Sequence, residues 1–145
     1  MPVLSAGLLA HRRGVGGGLE VLIVHPGGPF WARKDDGAWS VPKGEYAPDE
    51  DARAAAEREF VEELGVPAPR GTERFLGERR QPSGKRLSVW AVEADVDLTD
   101  THSNEVTMEW PRGSGRTITF PEVDRAEWCT VDVARERLLR GQVPF

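Results

Sequence analysis

Cysteine is almost absent: Cys129 stands alone among 145 residues, so no disulfide can close within the chain and a multi-thiolate zinc site is excluded. Histidine is scarce too. His11, His25 and His102 are scattered without zinc-ligand spacing, and no Ser-His or Cys-His pairing is legible. No apolar run approaches the roughly 20 residues that a membrane helix needs, which argues against a membrane partner. The opening MPVLSAGLLAHRR has its positive charges after its apolar stretch, so it reads as a strand and not a signal peptide, and a cytoplasmic location is expected. A basic surplus is also missing: 19 Lys and Arg face 24 Asp and Glu, a formal charge of -5. Nucleic-acid binding normally shows as the opposite imbalance, so the expected partner is a small molecule and not nucleic acid.

What is present is the composition of an ordinary globular chain, 39% hydrophobic and 30% charged. A chain of this length suits one domain, residues 1–145, able to hide roughly 70% of its unfolded surface. Val3 to Ala10 and Leu19 to Val24 are apolar strands separated by the glycine-rich R-G-V-G-G-G, which predicts a hairpin. The Gly-, Pro- and aromatic-rich stretch from His25 to Gly44 is too irregular for a helix and is a candidate binding loop. From about Asp49, Ala52, Ala56, Phe60 and Leu64 fall four apart and mark a helix, ended by Gly65 and Pro67. Strands are expected over Arg74 to Arg80 and Arg86 to Val96, around the turn Q-P-S-G-K. An irregular polar segment leads to short strands at Thr117 to Phe120 and Ala126 to Thr130. A last helix runs from about Val131 to Leu139, closed by Gly141. Strands and helices mixed in this order favour an α/β or α+β layered domain.

The helix carries an unusual load in R-E-F-V-E-E-L-G. At about 100° per residue, Glu59, Glu62 and Glu63 share an arc of roughly 100° beside the Phe60/Leu64 stripe. Like charges at this spacing cost an exposed helix about 0.2 to 0.5 kcal/mol per pair, and the last turn already disfavours anions. A hard divalent cation, Mg2+ or Mn2+, is the cheapest compensation, because such ions prefer carboxylate oxygen and water. An acidic solvated face is the plain alternative for E-x-x-E-E taken alone.

The surroundings decide between them. From Gly44 the chain reads G-E-Y-A-P-D-E-D-A-R-A-A-A-E-R-E-F-V-E-E-L-G-V, ending at Val66. This resembles the Nudix hydrolase signature G-x5-E-x7-R-E-U-x-E-E-x-G-U, with every charged and glycine position matched. Phe60 is the one departure, aromatic where an aliphatic residue is usual. The lead-in W-S-V-P-K-G from Trp39 to Gly44 is similar to that of Nudix enzymes acting on dinucleoside polyphosphates. Glu122 and Trp128 resemble a late glutamate and tryptophan of the family.

The resemblance implies a Nudix-type α/β/α sandwich with a mixed β-sheet, and hydrolysis of the pyrophosphate linkage of a nucleoside diphosphate derivative. Dinucleoside polyphosphates or nucleoside triphosphates lead as substrates. ADP-ribose or a nucleotide sugar, or a non-catalytic nucleotide sensor, are the alternatives. Glu59 and Glu63 are the leading metal ligands, with Glu62 and the Gly44 carbonyl completing the set. Arg58 is expected to orient Glu59 through charged hydrogen bonds, with Glu50 as partner. Glu122, Glu62 or Glu59 would take the proton of the attacking water. Lys43 is a candidate phosphate contact, and Trp39, Trp31 and Phe30 are candidate base-stacking surfaces. Several cations outside the box, Arg79 and Arg80 among them, are potential phosphate contacts that pattern alone does not rank.

Overall fold

The computed structural model describes residues 3–14, 16–29, 31–99, 101, 105–109 and 111–145; Phe30 and His102 lie outside that set. In chain order the elements are β1 (Leu4–Arg13), β2 (Leu19–Pro26), β3 (Lys43–Tyr46), α1 (Ala52–Leu64), β4 (Glu73–Arg80) and β5 (Arg86–Glu93). They continue with β6 (Glu105–Glu109), β7 (Thr117–Pro121), β8 (Val123–Thr130), α2 (Val131–Arg137) and a 3-10 turn at Arg140–Gln142. One sheet runs in the order β4-β5-β1-β2-β8, with β3 also paired to β1. β1 and β5 are parallel and the other pairs antiparallel, so the sheet is mixed.

Two cores follow from the alternation of side chains along the strands. Ala6, Leu8 and Ala10 of β1, Leu22 and Val24 of β2, and Val92 of β5 pack with Ala55, Ala56, Phe60 and Leu64 of α1. Their neighbours Leu9, Val21, Ile23, Leu87 and Val89 point the other way, onto Ala134 of α2, Leu138 and Trp39. Helices on both faces of a sheet make the α/β/α sandwich, and strands covered on both sides read as the continuous apolar runs G-L-L-A and V-L-I-V. Phe60 is fully buried, and burying such a side chain stabilises the fold by about 1.5 to 3 kcal/mol.

The predicted hairpins β1–β2 and β4–β5 are present. Helix α1 begins after Asp51, whose carboxylate accepts from the Ala54 N–H at 2.9 Å. It ends at Gly65, whose φ of 67° is the left-handed cap that glycine adopts without a Cβ penalty. Three expectations are corrected. The stretch from His25 to Gly44 is not irregular to its end: Lys43–Tyr46 is β3, and Trp39 and Ser40 form isolated bridges to Leu138 and Val24. Glu105–Glu109, placed in the irregular polar segment, pairs with β7 as a separate two-stranded sheet. Helix α2 stops at Arg137, before Leu139 and Gly141, because Leu138 turns extended to pair with Trp39.

Candidate functional site

The box folds into strand β3, a connecting loop and α1, so its first glycine and its last glutamates face each other. Gly44 pairs with Ala6 of β1, and the Glu59 carboxylate lies directly against it: a Cβ at position 44 would overlap the Glu59 carboxyl atoms. Next to it, the Lys43 N–H donates to Glu63 Oε2 at 3.3 Å. The side chain of α1 that sits deepest among the glutamates is therefore fixed by the backbone of β3. Glu63 belongs to the buried face of α1 with Ala56, Phe60 and Leu64, further in than the edge position expected from the helical wheel.

Burial pushes the Glu63 carboxyl up to about 8; the Lys43 ammonium opposes that, and the charges of Glu122 and Glu59 add to it. Burial and the neighbouring Glu62 raise Glu59 as well, with Arg58 opposing and Glu122 contributing. Glu122 is exposed on the link between β7 and β8, held there by the Gly27 N–H donating to its carbonyl at 3.0 Å. Its field acts on both Glu59 and Glu63, so the fold brings this distant acid to the face of the box.

Arg58 organises the outer side. Its Nε and Nη2 donate to the two oxygens of Glu50, each at 3.1 Å, while Nη1 donates to Glu59 Oε1 at 2.9 Å and lies 3.5 Å from Glu62 Oε1. Nη2 also reaches the Glu45 carbonyl at 3.5 Å. The guanidinium side chain is 41% exposed, so these pairs stabilise the fold by at most about 1 kcal/mol each. Their effect is geometric: one rigid fork fixes the loop acid Glu50 and the helix acid Glu59 together.

The donor chemistry fits a hard divalent ion: the carboxylates of Glu59 and Glu63 meet the backbone at Gly44 and Lys43, and burial, with repulsion from neighbouring acids added, raises both. Among the described residues, no three His, Cys, Asp or Glu side chains already stand in ligand geometry. A small cleft of about 50 Å³ beside the cluster is lined by Glu63, Thr101 and Val123 to Ala126. A larger cavity of about 510 Å³, lined by Leu9, His11, Ala134 and Phe145 among others, contains none of the box glutamates.

Trp39 is a core residue, and the expectation that it binds substrate is corrected. It is fully buried, its Nε1 donates to Asp35 at 2.6 Å and His25 packs edge-on against it, so no ring face is open to a base. Trp31 is half-buried, with the Lys34 ammonium 5.3 Å from its ring centre. Arg12 is committed to Glu20, Asp95 and the Trp128 ring. Sequence reasoning missed Gln142, which is buried, accepts from the Val41 N–H and donates to Ser40 Oγ, each at 2.9 Å. It thereby holds the segment entering Lys43 and Gly44. No local pattern marks it; a glutamine near the end of a chain reads as surface.

The NUDIX domain family matches residues 1–145. Among solved structures, an Ap4A hydrolase of C. elegans in a binary complex is similar at 21% identity, over 90% of this chain and 82% of that one, with a TM-score of 0.58. The NUDIX domain of Shewanella oneidensis NrtR, complexed with ADP ribose, aligns at 17% identity over 95% and 79%, with a TM-score of 0.59. The MutT protein of Methanosarcina mazei Go1 aligns at 17% identity over 97% and 87%, with a TM-score of 0.57. At these identities the likeness is one of fold. No curated protein matches the sequence. With the NUDIX model matching residues 1–145 and the box folded against its own first glycine, the chain belongs to the Nudix family.

Proposed function

We propose that the protein hydrolyses the P–O–P bridge of a nucleoside diphosphate derivative in a divalent-metal-dependent reaction, with dinucleoside polyphosphates or nucleoside triphosphates as its substrates. The observation that carries this reading is the meeting of Glu59 and Glu63 with the Lys43–Gly44 backbone, where the charges of Glu62 and Glu122 also act. A set of repelling acids rejects a polyphosphate unless cations lie between them, so site and substrate become compatible only with metal.

Glu59 and Glu63 would hold Mg2+ or Mn2+, with Glu62 and the Gly44 carbonyl in support. When bound, such an ion supplies a water of lowered pKa and neutralises charge on phosphate oxygens. The chain's own groups do the rest. Arg58 keeps the Glu59 carboxylate turned toward Gly44. Glu122, exposed and facing the cluster, is placed to take the proton of the attacking water. The Lys43 ammonium, whose field already reaches Glu63, is placed to meet a phosphate oxygen. The fold shared with the C. elegans Ap4A hydrolase supports the dinucleoside polyphosphate reading. The fold shared with the NrtR domain that holds ADP ribose supports the second reading, an ADP-ribose pyrophosphatase or a sensor.

The test is a panel of diadenosine polyphosphates, nucleoside triphosphates, ADP-ribose and sugar nucleotides, incubated with and without magnesium, with products identified. Magnesium-dependent release of mononucleotides from the first two classes is the expected result. Tight binding without cleavage of any compound would establish the sensor reading instead.

A further inference from the structure

We propose that His25 is a positioning residue for hydrolysis: through Asp124 it fixes the bend of the chain that holds Glu122 at the glutamate cluster. The claim rests on the reading above in which Glu122 takes the proton of the attacking water. His25 is fully buried at the end of β2, yet both of its ring nitrogens are engaged. Nδ1 lies 2.7 Å from Asp124 Oδ1 and Nε2 lies 2.6 Å from the Lys34 carbonyl oxygen, while the Trp39 ring packs edge-on at 5.2 Å. The other cation at Asp124, Arg125, stays at 3.8 Å, beyond hydrogen-bond length, so the short contact of that carboxylate is the one with His25.

The place of this contact in the sheet gives it its effect. The ladder between β2 and β8 runs in step from Glu20 opposite Thr130 to His25 opposite Arg125, and then skips: Pro26 lies opposite Val123. Asp124 is left over as the extra residue of a bulge, and it is the residue that His25 grips. A bulge bends its strand and re-aims the side chains beyond it. Beyond this one lie Val123 and then Glu122. Because side chains alternate along a strand, a bulge lost or moved by one residue would turn that stretch to the opposite side. The imidazole therefore fixes where the extra residue falls, and with it the direction in which the Glu122 segment leaves the sheet.

Neighbouring contacts fit the same segment to the end of β2. The Gly27 N–H donates to the Glu122 carbonyl at 3.0 Å, a Cβ on Gly27 would overlap the Pro121 carbonyl oxygen, and a Cβ on Gly28 would overlap the Phe120 ring. The stretch H-P-G-G from His25 to Gly28 is thus a clasp around Phe120 to Asp124. The clasp also links the two faces of the sheet. Trp39, against which His25 packs, belongs to the α2 side, whereas Val123 packs into the α1 core. Asp124 lines the small cleft together with Glu63, and the charge of Glu122 acts on Glu59 and Glu63. A buried imidazole on one face in this way sets the place of an acid that works on the other.

A double-mutant cycle on the full chain tests the role, with diadenosine tetraphosphate and magnesium. His25→Phe and Asp124→Ala should each lower kcat at least about tenfold with KM unchanged, the scale of a misplaced catalytic group. Asp124 is 33% exposed, so its variant keeps the core intact where His25→Phe fails to fold. In a Glu122→Gln background, neither change should lower kcat further. An equal drop in both backgrounds, or no drop in the single variants, overturns the proposal. Wild-type kcat in Glu122→Gln alone overturns the reading of Glu122, and the proposal with it. A second measurement needs no turnover: in chelator, exchange of the Gly27 amide, whose acceptor is the Glu122 carbonyl, should quicken at least about tenfold in Asp124→Ala. The Leu8 amide, bonded to the Pro42 carbonyl in the middle of the sheet, should exchange as in wild type. Unchanged Gly27 exchange, or equal quickening at Leu8, overturns the positioning role. Because exchange is read without catalysis, failure of the hydrolase reading and failure of the clasp are separate results.

Discussion

The Glu59 carboxylate occupies the space that a Cβ on residue 44 would fill, so Gly44 and Glu59 are a matched pair: one is small because the other is there. Gly44 is not required by backbone conformation, since it is absent from the glycines with positive φ. Its requirement is the acid opposite. Gly44→Ala should therefore displace Glu59 and reduce kcat at least about a hundredfold, the scale of a lost transition-state contact. Glu59→Gln should do the same. Full activity of Gly44→Ala in a steady-state assay would remove Glu59 from the reaction.

Arg58 holds Glu50 and Glu59 with one planar fork. Arg58→Lys preserves the charge but not two simultaneous directions of donation. We expect kcat to fall about tenfold while stability changes by about 1 kcal/mol or less, as for other exposed ion pairs. A large drop in Tm with unaltered kcat would mean that the fork serves only the fold.

Glu63 gives a pH dependence with a defined sign. Its carboxyl is pushed up to about 8 by burial, above the ordinary value of about 4.3. The native state then binds the proton that the unfolded state has released, so the contribution is complete below about pH 4 and is lost as pH rises through about 8. In chelator, Tm should fall between pH 5 and pH 9. Glu63→Gln should flatten that slope and be the more stable protein at pH 9, yet lose at least about a hundredfold in magnesium-dependent turnover. Parallel Tm curves for variant and wild type would show that the buried acid is not the titrating group.

Gln142 satisfies the Val41 N–H and Ser40 Oγ inside the protein. Gln142→Leu leaves the buried Val41 N–H without its partner, at about 1 to 3 kcal/mol, while Ser40 Oγ keeps its bond to the Val41 carbonyl. Urea denaturation should show a loss of a few kcal/mol. A change within about 0.5 kcal/mol would mean that water replaces the amide.

The division between what was readable and what was not follows the range of the interactions. The sequence by itself determined the box register from Gly44 to Val66, the helix with its Phe60/Leu64 stripe, the Gly65 cap and the hairpins around their turns. Each is a short-range matter of period, cap chemistry or turn residue. Only the tertiary structure decided that Lys43–Tyr46 is a strand, because its partner is β1, far back in the chain. The same holds for Trp39, whose indole is buried by α2 and β2 neighbours and not offered to a base, and for Gln142, delivered by the tail. Glu63 is the sharpest case: the wheel put it beside the apolar stripe, and packing against β3 drew it inside, where removal from water, more than its neighbours' charge, sets its acidity. Helical period fixes the direction in which a side chain leaves its own element; what it meets depends on strands that pair across the whole chain.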